Sequence, residues 1–264
     1  MDHSQLIRQE ISVGTIKSII GSIPYIGTAL NEAIFETRSR IKQERINHFF
    51  EMLHSYFERH SNNGINFSEC KSEEFSDLIE QTLLNVSKTR SKNKAIWFRN
   101  ILINQIFNNH EIEKSELFVD ILNTLRDKQV KILDGIMTIS DNGVWKTNGE
   151  RLLNETKVKK LQEEIDIRKG MGRPITHDNI EAEINFYTKK IEECKTAIAS
   201  YAHLFDCKSF ACAKNEFQYY LQDLTNKALV VDLSYIYEAS ILEVLKITDL
   251  GSELLSYIMN STES

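Results

Sequence analysis

The stretch KNEFQYYLQDLTNKALVVDLSYIYEASILEVLKITDLGSELLSYIM, residues 214–259, changes character along its length. KNEFQYYLQDLTNKAL reads as a helix. LVVDLSYI follows, rich in the β-branched residues that favour strands. LEVLKITDL supplies a second strand, and GSELLSYIM a final helix. Helix, strand, short connection, strand, helix is the order of a winged helix-turn-helix. The segment Val130–Ile139 would contribute the first helix of that module.

Working backwards, the most regular pattern in the chain precedes this module. Ile180, Ile184, Tyr187, Ile191, Cys194, Ile198, Tyr201 and Phe205 alternate steps of four and three, a two-per-heptad seam. Asp178 followed by Glu181 suits a capping box at the helix start. Val158, Leu161 and Ile165 lie on a preceding charged helix, and KGMGRP between the two is a turn. Residues 150–205 therefore read as an antiparallel helical hairpin inserted in the module, with nearly cancelling charges that suit a solvated outer face. The polar SDNGVWKTNGE before it closes the first half of the chain.

That first half reads as helices. A short one covers Ser4–Gly21, and Ile23-Pro24 turns into a second that runs to about His60. A loop, HSNNGINFSEC, leads to a third over Glu73–Val86. A fourth follows in KNKAIWFRNILINQIF and a fifth in SELFVDILNTLRDKQVKILDGI. The expected fold is mainly α: a helical bundle over residues 1–115, then a winged-helix-like module over 116–264 with a two-stranded wing and the inserted hairpin.

Composition agrees. Two prolines and ten glycines in 264 residues are few, which favours long helices. The apolar fraction of 41% and charged fraction of 27% are those of a soluble globular protein. A net charge of −6 argues against a surface that grips nucleic acid throughout. The start MDHSQLIRQE is no secretory signal. Four cysteines without close pairing suit a reducing compartment, so a cytoplasmic location is expected.

KNKAIWFRNILINQI, LFVDILNTLRDKQVKILDGI, FQYYLQDLTNKALVVD and LEVLKITDLGSELLSYI occur in that order. The arrangement resembles the bacterial abortive-infection alpha family and related helical proteins of phage-defence loci. In that family a helical region leads to a winged-helix-like end whose last helix starts threonine-x-x-glycine, which Thr248, Leu250 and Gly251 match. The resemblance covers about half the chain in patches, and the hairpin departs from it. It implies an anti-phage role and carries over no catalytic residue.

Site motifs are few. No nucleophile elbow, zinc-protease helix or phosphate-binding glycine loop occurs. Cys194, His203, Cys207 and Cys212 lack the tight pairs of structural zinc sites, and Cys194 suits packing in the seam. His48, His54 and His60 are scattered around their helix by a six-residue step. No cofactor or metal is expected. Lys88, Arg90, Lys92, Lys94 and Arg99 form a basic run beside Trp97 and Phe98, the first four a candidate contact for nucleic acid or phosphate. The preferred reading is a basic helix start whose aromatics, with Ile101 and Leu102, face the core. SIIGSIPYIGTALNEAIF, residues 18–35, is too short and too broken by Pro24 to span a bilayer, so it reads as a packed helical corner. On activation, Ile16, Ile19, Ile20, Ile23 and Ile26 are candidate membrane contacts.

From Asp206 onward four lysines face nine acids, so strong sequence-specific DNA binding is not expected. The expectation is a non-enzymatic defence protein of abortive-infection type that acts through a protein partner, phage, host or self, or through a membrane. A winged-helix transcriptional regulator and an enzyme without a sequence trace are the alternatives.

Overall fold

A computed structural model describes residues 40–60, 72–108, 111–171 and 177–259. The apolar stretch 18–35, the candidate membrane contacts Ile16, Ile19, Ile20, Ile23 and Ile26, and the loop expected at 60–70 lie outside the described residues, except for His60 at a helix end. The described chain is mainly helical, with one small two-stranded antiparallel sheet. It divides into two compact units, one ending at Asp127 and regaining the chain from Leu254, the other covering Lys128–Glu253. The boundary read from the sequence, 115/116, falls inside a helix, Ile112–Thr124.

The first unit contains α1 (Arg40–His60), α2 (Glu73–Lys88), α3 (Lys92–Asn108) and α4 (Ile112–Thr124). Ser72 caps α2 by accepting from the Phe75 amide, and Glu73 and Glu74 complement its positive end. Phe49, Leu78, Leu83, Phe98, Ile101, Phe118 and Leu122 are fully buried at its centre. Trp97, Phe98, Ile101 and Leu102 are all buried. The carbonyls that end the helix Asp249–Met259 would lack partners of their own. Asn100 and Asn104 donate side-chain amides to the carbonyls of Ile258 and Tyr257 at 2.7 and 2.8 Å.

SELFVDILNTLRDKQVKILDGI, expected as one helix, is two. α4 ends at Thr124, Leu125 adopts an extended backbone with its side chain fully buried, and α5 starts at Asp127 and ends at Asp141. No proline or glycine marks the break. The local signal is acidic Asp127 at a helix start, where a carboxylate is favoured.

The second unit is built from α5, α6 (Val144–Gly170), α7 (His177–Ile198), two 3-10 segments (Ala199–Phe205 and Cys207–Phe210), α8 (Lys214–Asn226), β1 (Val230–Asp232), β2 (Leu245–Ile247) and the start of α9 (Asp249–Met259). SDNGVWKTNGE, read as the polar close of the first half, is mostly helix. Only Asn142 and Gly143 separate α5 from α6, and Gly143 takes a left-handed turn at φ 64°. Gly149 sits inside α6 because the Tyr237 ring packs where a side chain would be; a Cβ there would lie 2.6 Å from a ring carbon.

α6 and α7 pack on each other along their lengths. The side chains of α7 that are not fully exposed, among those described, are Ile180, Ile184, Tyr187, Ile191, Cys194 and Ile198, all members of the seam. The seam's continuation is not α-helical: from Ala199 the backbone tightens to 3-10, and Phe205 is exposed. α7 begins at His177, so Asp178 lies within the helix rather than at its cap.

β1 and β2 pair in register, Val230 with Ile247 and Asp232 with Leu245. β1 is shorter than LVVDLSYI suggested, because Ser234–Tyr237 turns into a 3-10 segment.

Candidate functional site

The start of α9 is built on the threonine-x-x-glycine match. The Thr248 hydroxyl accepts from the Gly251 amide at 3.1 Å, an N-cap, and donates to the Ala228 carbonyl at 2.7 Å. The Thr248 amide donates to the Leu229 carbonyl at 3.1 Å. Gly251 is required by that approach: a Cβ would stand 2.2 Å from the Leu229 carbonyl oxygen. The motif thus locks the last helix to the end of α8.

Between β1 and β2 the chain forms a loop organised by two side chains. Ser234 is buried; its hydroxyl donates to Asp232 Oδ1 and accepts from the amides of Glu243 and Val244 at 3.0 and 2.9 Å. Asp232 Oδ1 also accepts from the Ser234 amide, and its Oδ2 accepts from the Leu242 amide at 2.8 Å. Leu242 has φ 68°, a left-handed conformation that a leucine adopts at a cost of about 1–2 kcal/mol. The Asp232 carboxylate holds it there.

This polar knot raises an apolar tip into solvent. Tyr235 is 78% exposed, Ile241 80%, Ile236 52% and Val231 37%. Glu238 flanks the tip and pairs with Lys160 of α6 at 2.5 Å, which holds its carboxyl below the usual range. The neighbouring lysines are engaged: Lys160 pairs with Glu238, Lys157 lies near the same carboxylate, and Lys246, in β2, lies over the Trp145 ring at 5.5 Å.

The outward face of α8 presents Lys214, Asn215, Gln218, Tyr219, Gln222 and Asn226. Its two acids turn toward α5. Glu216 accepts from the Tyr220 hydroxyl at 2.6 Å and pairs with Lys128 at 3.3 Å, and these partners lower its pKa. Burial pushes the Asp223 carboxyl up, but Lys227 and the Gln129 amide, bonding it, bring the net shift down.

The basic run surrounds the turn from α2 to α3. Lys88, Arg90 and Lys92 are exposed there. Lys94 is half-buried and donates to the Asn123 carbonyl at 2.9 Å; burial lowers its pKa, with Asp127 opposing. The α3 N-terminus already has an anion. Asp127 Oδ2 accepts from the Ser91 hydroxyl at 2.7 Å and from the Asn93 side-chain Nδ2 at 3.1 Å, while the Ser91 hydroxyl accepts from the Lys94 backbone amide. An incoming phosphate would compete with that carboxylate.

Cys194, Cys207 and Cys212 are unpaired thiols, and burial raises the pKa of Cys194 and Cys212. His48 lies 3.5 Å from Glu51, and the His203 ring contacts the Ser200 carbonyl at 3.1 Å. Among the described residues no three His, Cys, Asp or Glu side chains converge as metal ligands, and no helix is long and apolar enough to cross a membrane.

Sequence reasoning found the strand pair but missed Asp232 and Ser234, which organise the loop between the strands, and the exposed Tyr235, Ile236 and Ile241. The available signal was Asp-x-Ser after a β-branched run, a pattern in which short polar side chains bond nearby backbone amides. Comparison with protein-family models, curated proteins and solved structures finds no match.

Proposed function

We propose that this chain is a non-enzymatic anti-phage defence protein of abortive-infection type, and that its C-terminal module is a winged helix adapted to protein contact. The observation that carries this reading is the apolar wing tip, Tyr235, Ile236 and Ile241, all more than half exposed. A wing that grips DNA needs cations at phosphate spacing, because released counterions supply most of the affinity. This tip instead offers aromatic and aliphatic surface, the material of protein-interface centres. The outward face of α8, neutral but for Lys214, supports the same conclusion. The defence role rests on the ordered resemblance of four helical segments and on the threonine-x-x-glycine start, whose Thr248 and Gly251 have a structural reason to be kept.

Phage plating on cells with and without the chain tests the role. Protection is expected against at least one phage of a broad panel. The double variant Tyr235→Ser/Ile241→Ser, exposed positions that should leave folding intact, is expected to lose it. Equal plating with and without the chain across the panel, or full protection by the folded double variant, refutes the reading.

A further inference from the structure

Within the second unit a pocket of about 630 Å³ opens among α5, α6, the end of α7, the following 3-10 segment, α8 and the wing residues Leu242–Leu245. Its volume falls within the range of about 300–1,000 Å³ typical of sites that enclose small organic ligands. The walls are mostly aliphatic and aromatic, with Ile132, Ile136, Leu152, Phe217, Leu221 and Leu245 among them.

The polar groups on the wall are already matched to one another. Asn148 is buried; its Oδ1 accepts from Arg151 Nε and Nη2 at 3.3 and 2.9 Å, and its Nδ2 donates to the Glu243 carbonyl at 3.0 Å. Arg151 Nη1 pairs with Glu155 at 2.7 Å. Lys195 pairs with Glu192 at 2.9 Å. The Glu243 carboxylate accepts from the Ser240 amide at 2.9 Å. Both lining cations already pair with a carboxylate outside the lining, which leaves them less charge to offer an entering anion, and the Glu243 carboxylate lies close by to repel it. An entering cation would meet two cations, Arg151 and Lys195, against a single carboxylate, Glu243. Burying an unmatched charge among these aliphatic walls is costly.

We propose that this pocket binds a neutral, predominantly apolar small molecule. The occupant would touch the root of the hairpin, at Leu152 and Ile198, and the wing, at Leu242 and Leu245, together. Its binding therefore links hairpin and wing within one unit. The inference goes beyond the defence reading and does not depend on it.

The uncharged fluorophore N-phenyl-1-naphthylamine is the probe, titrated against the full chain. Saturable one-to-one binding is expected. Its close relative 1-anilinonaphthalene-8-sulfonate, which adds a sulfonate, is expected to bind at least about 10-fold more weakly, since its charge must leave water for aliphatic walls where Arg151 and Lys195 are already paired and Glu243 repels it. Ala199 and Ala202 line the pocket and are exposed, so Ala199→Trp and Ala202→Trp can fill the mouth without disturbing a packed core. Each is expected to weaken the neutral probe at least about 10-fold by occupying its space. Ile241→Ser, on the wing tip, is expected to leave binding unchanged and so separates the pocket from the exposed apolar tip. Non-saturable binding, equal affinity for the sulfonated probe, unchanged affinity in both folded tryptophan variants, or loss of binding in Ile241→Ser would each overturn the proposal.

Discussion

Replacing Gly251 by alanine adds a single methyl group where the last helix crosses the end of α8. That methyl would lie 2.2 Å from the Leu229 carbonyl oxygen and 2.9 Å from Ile247 Cγ1, and the first of these is backbone that no rotamer change can clear. Relief requires the start of α9 to retreat by about 1 Å from Leu229. The retreat breaks the Thr248 amide bond to the Leu229 carbonyl, a loss of about 1–3 kcal/mol for a partly buried backbone group. It also weakens the Thr248 cap and its bond to Ala228, about 1 kcal/mol. Alanine's better helix propensity returns up to about 1 kcal/mol. The net destabilisation is about 2–3 kcal/mol, which for a domain of this size lowers Tm by roughly 5–10 °C. The chain's two tryptophans, Trp97 and Trp145, lie one in each unit, so a Trp97→Phe background lets Trp145 fluorescence report the second unit alone during thermal unfolding. Gly170→Ala is the control, since nothing lies within 4 Å of a Cβ at that helical position. It should be neutral or slightly stabilising. A Gly251→Ala protein that melts within experimental error of its parent would refute the close-packing argument.

Ser234→Ala strips the β1–β2 loop of a hydroxyl that accepts from two amides, so the second unit should lose about 3 kcal/mol of stability by urea denaturation. Ile191→Asp places a charge in the hairpin seam and should cost several kcal/mol, about 3 or more, while Phe186→Asp, half exposed on the same helix, should be close to neutral; circular dichroism melts of the pair check this. Glu216, Asp223 and Glu238 have lowered folded pKa values, so their stabilising contributions are present above the ordinary carboxylate range and fade as pH falls through the folded values. The Trp145-monitored Tm should therefore hold from neutral pH down to about pH 5 and drop below about pH 4. Lys128→Met removes Glu216's partner and should make that acid-side fall begin at higher pH.

The elements most legible in the sequence were those whose pattern repeats. The α7 seam could be read residue by residue because seven-residue spacing leaves one buried stripe, and Ile184, Tyr187 and Ile191 all lie on it. The helix–strand–strand–helix order was legible from β-branched density at Val230–Asp232 and Leu245–Ile247. Two boundaries were not. Leu125 breaks a continuous apolar pattern with no glycine or proline, because its buried side chain rewards leaving the helix more than continuing it. Gly149 signals a loop by composition but serves as a flat seat for the Tyr237 ring, a contact 88 positions away. The exposed loop between the strands was hidden for a similar reason: Tyr235 and Ile236 look like strand residues until the Asp232–Ser234 knot turns the chain. The pocket left no sequence trace, since its walls come from four α-helices, a 3-10 segment and the wing, each with an ordinary apolar face.

A photo-crosslinking residue, p-benzoylphenylalanine, placed at Tyr235 tests the claim of a protein-contacting wing most directly. In cells of a protected strain, irradiation after infection is expected to give a discrete protein adduct that is absent from the same label at exposed Lys159 on α6. Adducts with nucleic acid in place of protein, or no adduct from a labelled chain that still protects its host, would contradict the account.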